Sequence, residues 1–352
     1  MSDLPPIDPA LTLAEFDYFL PPDLIAQTPP VERDGGKLLV VDRAHAALAD
    51  AAITDLPSFL RPNDLLVINN TRVLPARLHG RRHTGGGMEL LLLTRREPGI
   101  WEGLARPARV CKPGTSFEVI SRDGKHFSIV TVLENLREGR VVVQVDPTLD
   151  DNLDAFGEVP LPPYIKSAVQ DPERYQTIFG SVPGSAAAPT AGLHLSERLL
   201  AELTALGVGR AEVTLQIGLD TFRPVTVERV VDHHMHSEWC SVPAETATAI
   251  AATKVSGGRI VAVGTTSART LESWATAGSP DADWSAWTSI FITPGYQWQT
   301  LDAMLTNFHL PKSTLLMMIT SFAGFDLTRQ SYLHAITNRY RFFSFGDAML
   351  IV

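Results

Sequence analysis

Cysteine is nearly absent from this chain. Cys111 and Cys240 are the only two among 352 residues, too few for a disulfide framework and without the CxxC spacing of a metal or redox pair. Two reduced structural thiols are the expectation. Long apolar runs are missing as well: stretches such as LLMMI at 315–319 fall far short of the roughly 20 residues a membrane span needs. The opening MSDLPPIDP is acidic and proline-rich, unlike a secretory leader, so a soluble cytoplasmic protein with no membrane partner is expected. There is no internal repeat and no low-complexity tract. Nor is there an excess of basic residues, since the net charge is −9, which at first sight argues against a nucleic-acid partner.

That average conceals a segregation. Residues 66–112 hold nine basic side chains (Arg72, Arg77, Arg81, Arg82, Arg95, Arg96, Arg106, Arg109, Lys112) against Glu89, Glu97 and Glu102, a local charge of +6 that leaves −15 for the remainder. Such a stretch is either a phosphate-binding face or an Arg-rich solvated β surface.

With 45% hydrophobic and 20% charged residues, the chain can bury a large core and is long enough for two domains. Two short apolar runs, LLVVD and DLLVINN, bracket ITDLPSFLRPND, which reads as a short helix between buried strands. From about 73 to 146 the texture changes to short alternating segments: ARLHGRR, MELLLLTRR, WEGLARPA, SFEVIS, FSIVTVL and RVVVQV. Turns containing GGG, KPG and RDG separate them. No helix is evident there, and a small β-barrel is predicted. Beyond Leu161 helices alternate again with the strands AEVTLQIG, RIVAVG and WTSIFITPG. The expectation is a layered, Rossmann-like α/β domain formed by residues 1–72 and 155–352, interrupted by a barrel at 73–154.

Five stretches carry more polar chemistry than packing demands. In AAPTAGLHLSERLL, Ser196 reads as an N-cap, and Leu199, Leu200, Leu203 and Leu206 form a stripe ending at Gly207. A tight turn containing Thr190 and Gly192 places His194 just before that helix. RIVAVGTTSARTLES runs a strand into Gly264, Thr265, Thr266 and Ser267 at a helix start, where backbone donors face an anion or carboxylate. A plain capped helix is the alternative. VVDHHMHSEWC is dense in His233, His234, His236, Glu238 and Cys240; on a strand, His234, His236 and Glu238 would share one face and could bind a metal. A polar edge is the alternative there. NNTRVLPARLHGR sets Asn69, Asn70, Thr71 and Arg72 at a strand end, and TNFHLPKSTLLMM sets Asn307 and His309 before a helix capped by Ser313 or Thr314. In an α/β domain such loops converge on one edge of the sheet.

Together with FDYFLPPDLIAQTP, PLPPYI, RYQTIFG, DTFRPV and YRFFSFGDAML, these stretches resemble the S-adenosylmethionine:tRNA ribosyltransferase-isomerases of queuosine biosynthesis. The resemblance runs from Phe16 to Leu350. It implies an enzyme that moves the ribosyl part of S-adenosylmethionine to the aminomethyl group of a deazaguanine at the tRNA wobble position. There the ribosyl part is rearranged to an epoxycyclopentane, giving epoxyqueuosine with release of adenine and methionine. A sulfonium acidifies the neighbouring ribose C–H, so a general base is needed, then groups that donate protons or stabilise oxyanions. That chemistry requires no metal or other cofactor, S-adenosylmethionine being consumed as a substrate. On this basis His194 is the expected base, with His309 beside it and His236 and Glu238 next in line. Asn69, Asn70, Thr71, Arg72, Thr190, Gly192, Gly264, Thr265, Thr266, Ser267 and Asn307 are the expected substrate contacts. Arg77, Arg81, Arg82, Arg106, Arg109 and Lys112 are the expected tRNA contacts. Two features depart from the family pattern: Gln216 with Gly218-Leu219-Asp220 stands where a His and a Gly-Ala-Gly-type turn are expected, and TGGGMELLLL lacks a Lys. A tRNA-binding module without catalysis and a metal-dependent hydrolase built on His234, His236 and Glu238 are the rival readings.

Overall fold

Every residue of LLVIN, Leu65–Asn69, is buried, and that fixes its place in the fold. A strand apolar on both faces belongs inside a parallel sheet covered by helices on either side. A computed structural model, which describes residues 6–137, 139–167, 171–218 and 225–352, puts this strand at the middle of a nine-stranded sheet. Two compact units make up the chain: residues 1–71, 163–182 and 188–352 form one, and residues 72–162 and 183–187 the other.

In chain order the strands are β1 (Lys37–Asp42), β2 (Ala47–Ala52), β3 (Leu65–Asn69), β4 (Thr71–Val73), β5 (Arg77–Arg81), β6 (Gly87–Glu97), β7 (Ile100–Arg106), β8 (Ser116–Ile120), β9 (Phe127–Arg137) and β10 (Arg140–Val145). They continue with β11 (Val182–Ser185), β12 (Gly209–Leu215), β13 (Glu238–Val242), β14 (Ile260–Val263), β15 (Trp284–Thr288), β16 (Ala303–Asn307) and β17 (Ala348–Ile351). The helices are α1 (Pro147–Asp150), α2 (Leu153–Phe156), α3 (Glu197–Ala205), α4 (Ala244–Val255), α5 (Gly264–Thr276), α6 (Thr314–Ala323) and α7 (Phe325–Thr337).

The large sheet runs β15-β13-β12-β3-β14-β16-β17-β1-β2. At its centre β12, β3, β14 and β16 are mutually parallel. Period-two alternation sends Leu65 and Val67 to one core with α4–α7, and Leu66 and Ile68 to a second core with α3 and the 3₁₀ helix Ile53–Phe59. This is a layered α/β arrangement. Because the four central strands share a direction, Asn69, Leu215, Val263 and Asn307 all end on one edge, so the loops after them meet there.

The second unit contains a closed six-stranded barrel, β10-β7-β6-β5-β8-β9, filled by alternate residues such as Leu78, Leu90, Trp101, Phe117, Val130 and Val143. Gly80 is dictated by that filling: a Cβ there would stand 2.5 Å from the Phe117 ring.

Two expectations change, and one element goes unforeseen. Residues 155–162 and 183–187 group with the barrel rather than the α/β unit, because Arg77 and Glu158 exchange backbone hydrogen bonds at 3.0 and 2.9 Å and Leu74 N donates to Ser185 O at 3.0 Å. In WTSIFITPG only the first residues are strand, β15 ending at Thr288. Finally, ALADAA forms β2, an antiparallel edge strand with little apolar signal. Ser196 does cap α3, its hydroxyl accepting from Leu199 N at 3.1 Å, and Ser313 caps α6 in the same way.

Candidate active site

The convergent edge encloses a pocket of about 720 Å³, its open mouth included. Its wall is made by the turn Ala188–Ala191, the first turn of α5 (Gly264, Thr265 and Thr266) and the β16 exit Thr306–Leu310. Tyr164, Ile217, Ser313, Leu315, Phe343 and Ser344 complete it. The α5 turn opens with Gly264 at φ +86°, a left-handed conformation that lets the chain leave β14 and enter the helix at once. GTTS is therefore the start of the helix itself. Ser267 is spent internally, buried with its hydroxyl on Val263 O at 2.8 Å, and does not line the pocket.

Asn307 organises one wall. Phe343 O can only accept, so the Asn307 group facing it at 3.2 Å is the amide NH₂, which also lies 2.9 Å from His194 Nε2. The amide oxygen accepts from the Thr190 hydroxyl at 2.9 Å. His194 Nε2 is consequently an acceptor and its ring proton sits on Nδ1. This corrects the expected placement of His194: it lies behind Asn307, facing a smaller cavity lined in part by Arg33 and Arg174, and not on the main pocket wall. Burial, with a smaller contribution from Arg341, pulls its pKa down to about 4. Gly192 also serves packing, since a Cβ would lie 2.7 Å from the Phe179 ring and 2.9 Å from Thr177.

His309 is on the wall. Its Nε2 lies 2.9 Å from Thr306 Oγ1, and burial holds its pKa at about 3, so the imidazole is neutral at neutral pH. Tyr164, which the residue pattern did not single out although PLPPYI contains it, lies across a 2.6 Å hydrogen bond from Ser344 Oγ, and burial pushes its phenol up to about 12.

Other expected contacts stay out of the pocket. Asn69 Oδ1 accepts from Thr71 N and Leu215 N, each at 3.1 Å, while its Nδ2 donates to Leu215 O at 3.1 Å. Asn70 bonds Glu212 at 3.0 Å and Thr214 at 2.7 Å, and Thr71 Oγ1 reaches Val182 O at 3.4 Å. Asn69 and Asn70 tie the end of β3 to β12, and Thr71 ties β4 to β11. Arg72 belongs to the barrel unit.

The histidine-rich run is not a strand. β13 begins at Glu238, so His234 and His236 share no strand face with it, and His234 is exposed. Among the described residues no three His, Cys, Asp or Glu side chains are grouped to hold a metal. Glu238 is instead buried against Arg269, accepts from Gly218 N at 2.8 Å and lies 3.3 Å from His236 Nε2. Its carboxyl is held at about 2: burial opposes ionisation, but the hydrogen bond from His236 and the charge of Arg269 outweigh it. Gln216 donates its backbone N–H to Trp239 O at 2.9 Å, whereas Leu219 and Asp220 lie outside the described residues.

In the barrel unit Arg81, Arg106, Arg109 and Lys112 are exposed and form no ion pair among the described residues, whereas Arg95 and Arg96 pair with Asp150 and Glu102. Arg77 and Arg82 are half-buried. No helix among the described residues is long and apolar enough to cross a membrane.

A mixed α/β sheet with a parallel centre and a polar-walled pocket at the carboxyl edge of that centre, in a chain interrupted by a small barrel, defines a class of proteins that bind a small substrate where the sheet's loops converge. The chain belongs to the queuosine biosynthesis protein family, whose model matches residues 13–351. It is 49% identical over 345 residues, 97% of this chain and 100% of the relative, to the S-adenosylmethionine:tRNA ribosyltransferase-isomerase of Symbiobacterium thermophilum. Its fold is similar to the crystal structure of the S-adenosylmethionine tRNA ribosyltransferase of Thermotoga maritima. That likeness has a TM-score of 0.56 and 36% identity, and it covers 96% of this chain and all of that one.

Proposed function

We propose that this chain is an S-adenosylmethionine:tRNA ribosyltransferase-isomerase. It transfers and isomerises the ribosyl moiety of S-adenosylmethionine onto the aminomethyl-deazaguanine at the wobble position of tRNA, in the cytoplasm. Adenine and methionine leave, and no further cofactor takes part. The observation that carries this reading beyond family membership is the convergence of the turn Pro189–Ala191, the GTT start of α5 and TNFHL on one pocket at the sheet's carboxyl edge.

Within that pocket the chemistry divides among few groups. His309 and Tyr164 are the ionisable side chains on the described wall. A neutral imidazole of low basicity suits a carbon acid only where a neighbouring cation has acidified the proton, which is what the sulfonium does. We therefore assign proton abstraction to His309. The Tyr164 phenol, fully protonated at neutral pH, is the donor assigned to the departing adenine. Thr190 and Asn307 orient the ribose, with His194 holding the Asn307 amide in place. The exposed basic residues of the barrel meet tRNA phosphates without reading sequence.

Purified protein incubated with S-adenosylmethionine and tRNA bearing the aminomethyl-deazaguanine should release adenine in step with modified tRNA. Release of adenine without the modified tRNA, or no turnover, would overturn the assignment.

A further inference from the structure

Arg269 is an anomaly. The residue is 2% exposed, and only Nη1 has a partner, Glu238; Nε and Nη2 are buried and meet no acceptor among the described residues. A buried guanidinium donor left unpaired is costly, and native chains retain few such groups without a use for them. One turn earlier on the same helix, Thr266 Oγ1 is also buried without a partner, and Thr266 lines the pocket.

Helix geometry brings these two together. A side chain in an α-helix leans over the turn on its N-terminal side, so Arg269 covers the turn that carries Thr265 and Thr266. Its partner Glu238 accepts from Gly218 N, next to Ile217, which is also on the pocket wall. The guanidinium does not itself line the pocket; it lies behind two segments that do, Ile217 and the first residues of the 13-residue helix α5, near that helix's positive end. Everything unpaired here is a hydrogen-bond donor, or a hydroxyl able to be one.

We propose that the start of α5, with Thr266 and Arg269, is a carboxylate subsite that takes the carboxylate of the methionyl part of S-adenosylmethionine. The proposal rests on the enzymatic reading above and gives its substrate an orientation. Glu238 neutralises Arg269 when the pocket is empty, and the ligand carboxylate takes the donors that Glu238 leaves over. Held at that end, the ribose is placed toward Thr190, Asn307 and His309. The methionyl portion is not transferred, so this subsite contributes binding and placement rather than chemistry.

The test compares S-adenosylmethionine with its decarboxylated analogue by calorimetric titration of the full chain. Wild type should favour the carboxylated ligand by about tenfold or more, the range of a charge-assisted contact. Thr266→Val should reduce that preference severalfold. Arg269→Gln combined with Glu238→Gln, which leaves no uncompensated buried charge, should bring it to within about twofold, with affinity for the analogue little changed. Circular dichroism and thermal unfolding report whether the double variant folds; if it does not, Thr266→Val decides alone. Equal binding of both ligands by wild type, or a wild-type preference in the folded variants, overturns the subsite while leaving the enzymatic reading intact. Binding of neither ligand by wild type overturns both.

Discussion

The Asn307 amide nitrogen lies 2.9 Å from His194 Nε2 while its oxygen takes the Thr190 hydroxyl, so a single side chain joins a fully buried imidazole to the pocket wall. On the proposed assignment, His194 acts through Asn307. His194→Ala should lower kcat about 10- to 100-fold, the usual cost of losing an outer-shell partner, with a small change in S-adenosylmethionine affinity. His194→Gln, which can offer an acceptor to the same amide, should recover part of the loss. Equal defects in both variants, or a defect confined to KM, would count against a positioning role.

Proton abstraction assigned to His309 makes a sharper demand. Removing a general base costs about 10²–10⁴ in rate, so His309→Ala should lose turnover in that range. It should also stop exchange of the ribose hydrogens beside sulfur into deuterated water. Exchange at the wild-type rate in His309→Ala, followed by mass spectrometry, would move the base elsewhere.

Both buried histidines make stability depend on pH. Their pKa values fall from an ordinary 6.5 to about 4 for His194 and about 3 for His309, so the unfolded chain binds more protons than the folded one in that window. Stability is thus complete above pH 6.5 and declines as the pH drops toward 3, by a few kcal/mol for each group. The thermal midpoint should fall across this interval, and His194→Asn should flatten the decline. A midpoint unchanged between pH 6.5 and 4 would mean that neither ring is desolvated as described.

On the barrel, Arg81, Arg109 and Lys112 are exposed cations without carboxylate partners among the described residues. Replacing all three by Ala should weaken tRNA binding alike for any tRNA and reduce the slope of log K against log salt by about 1 per residue. S-adenosylmethionine affinity should not change. An unaltered salt slope, measured by filter binding, would leave these residues as solvated surface.

Glu238 has its carboxylate engaged by Arg269, Gly218 and His236, which leaves the histidine run no ligand set of the kind a strand would have supplied. Activity is expected to survive exhaustive chelation in full. Stoichiometric zinc in the purified protein together with activity lost to a chelator would reverse that conclusion.

Much of the architecture is written in local pattern. The six barrel strands alternate with period two between turn residues, α3 has its stripe and its Ser196 cap, and LLVIN is apolar on both faces, so each announces its type and its buried side without reference to any partner. The site motifs were legible for a related reason: each is a polar cluster where a strand should end. Partners were not legible, because burial pattern states that a face is covered and not by what. ALADAA becomes a strand by pairing with β1, and residues 155–162 join the barrel through backbone bonds to Arg77 and Arg122. His194 and Asn307 are 113 residues apart, so whether that imidazole faces the substrate or stands behind an amide depended on how β16 and the PTAGLH turn pack. The same holds for Arg269 on α5, whose partner Glu238 on β13 satisfies one nitrogen and leaves two. Local propensity acts over a few residues, whereas desolvation and hydrogen-bond satisfaction depend on every group the fold brings near.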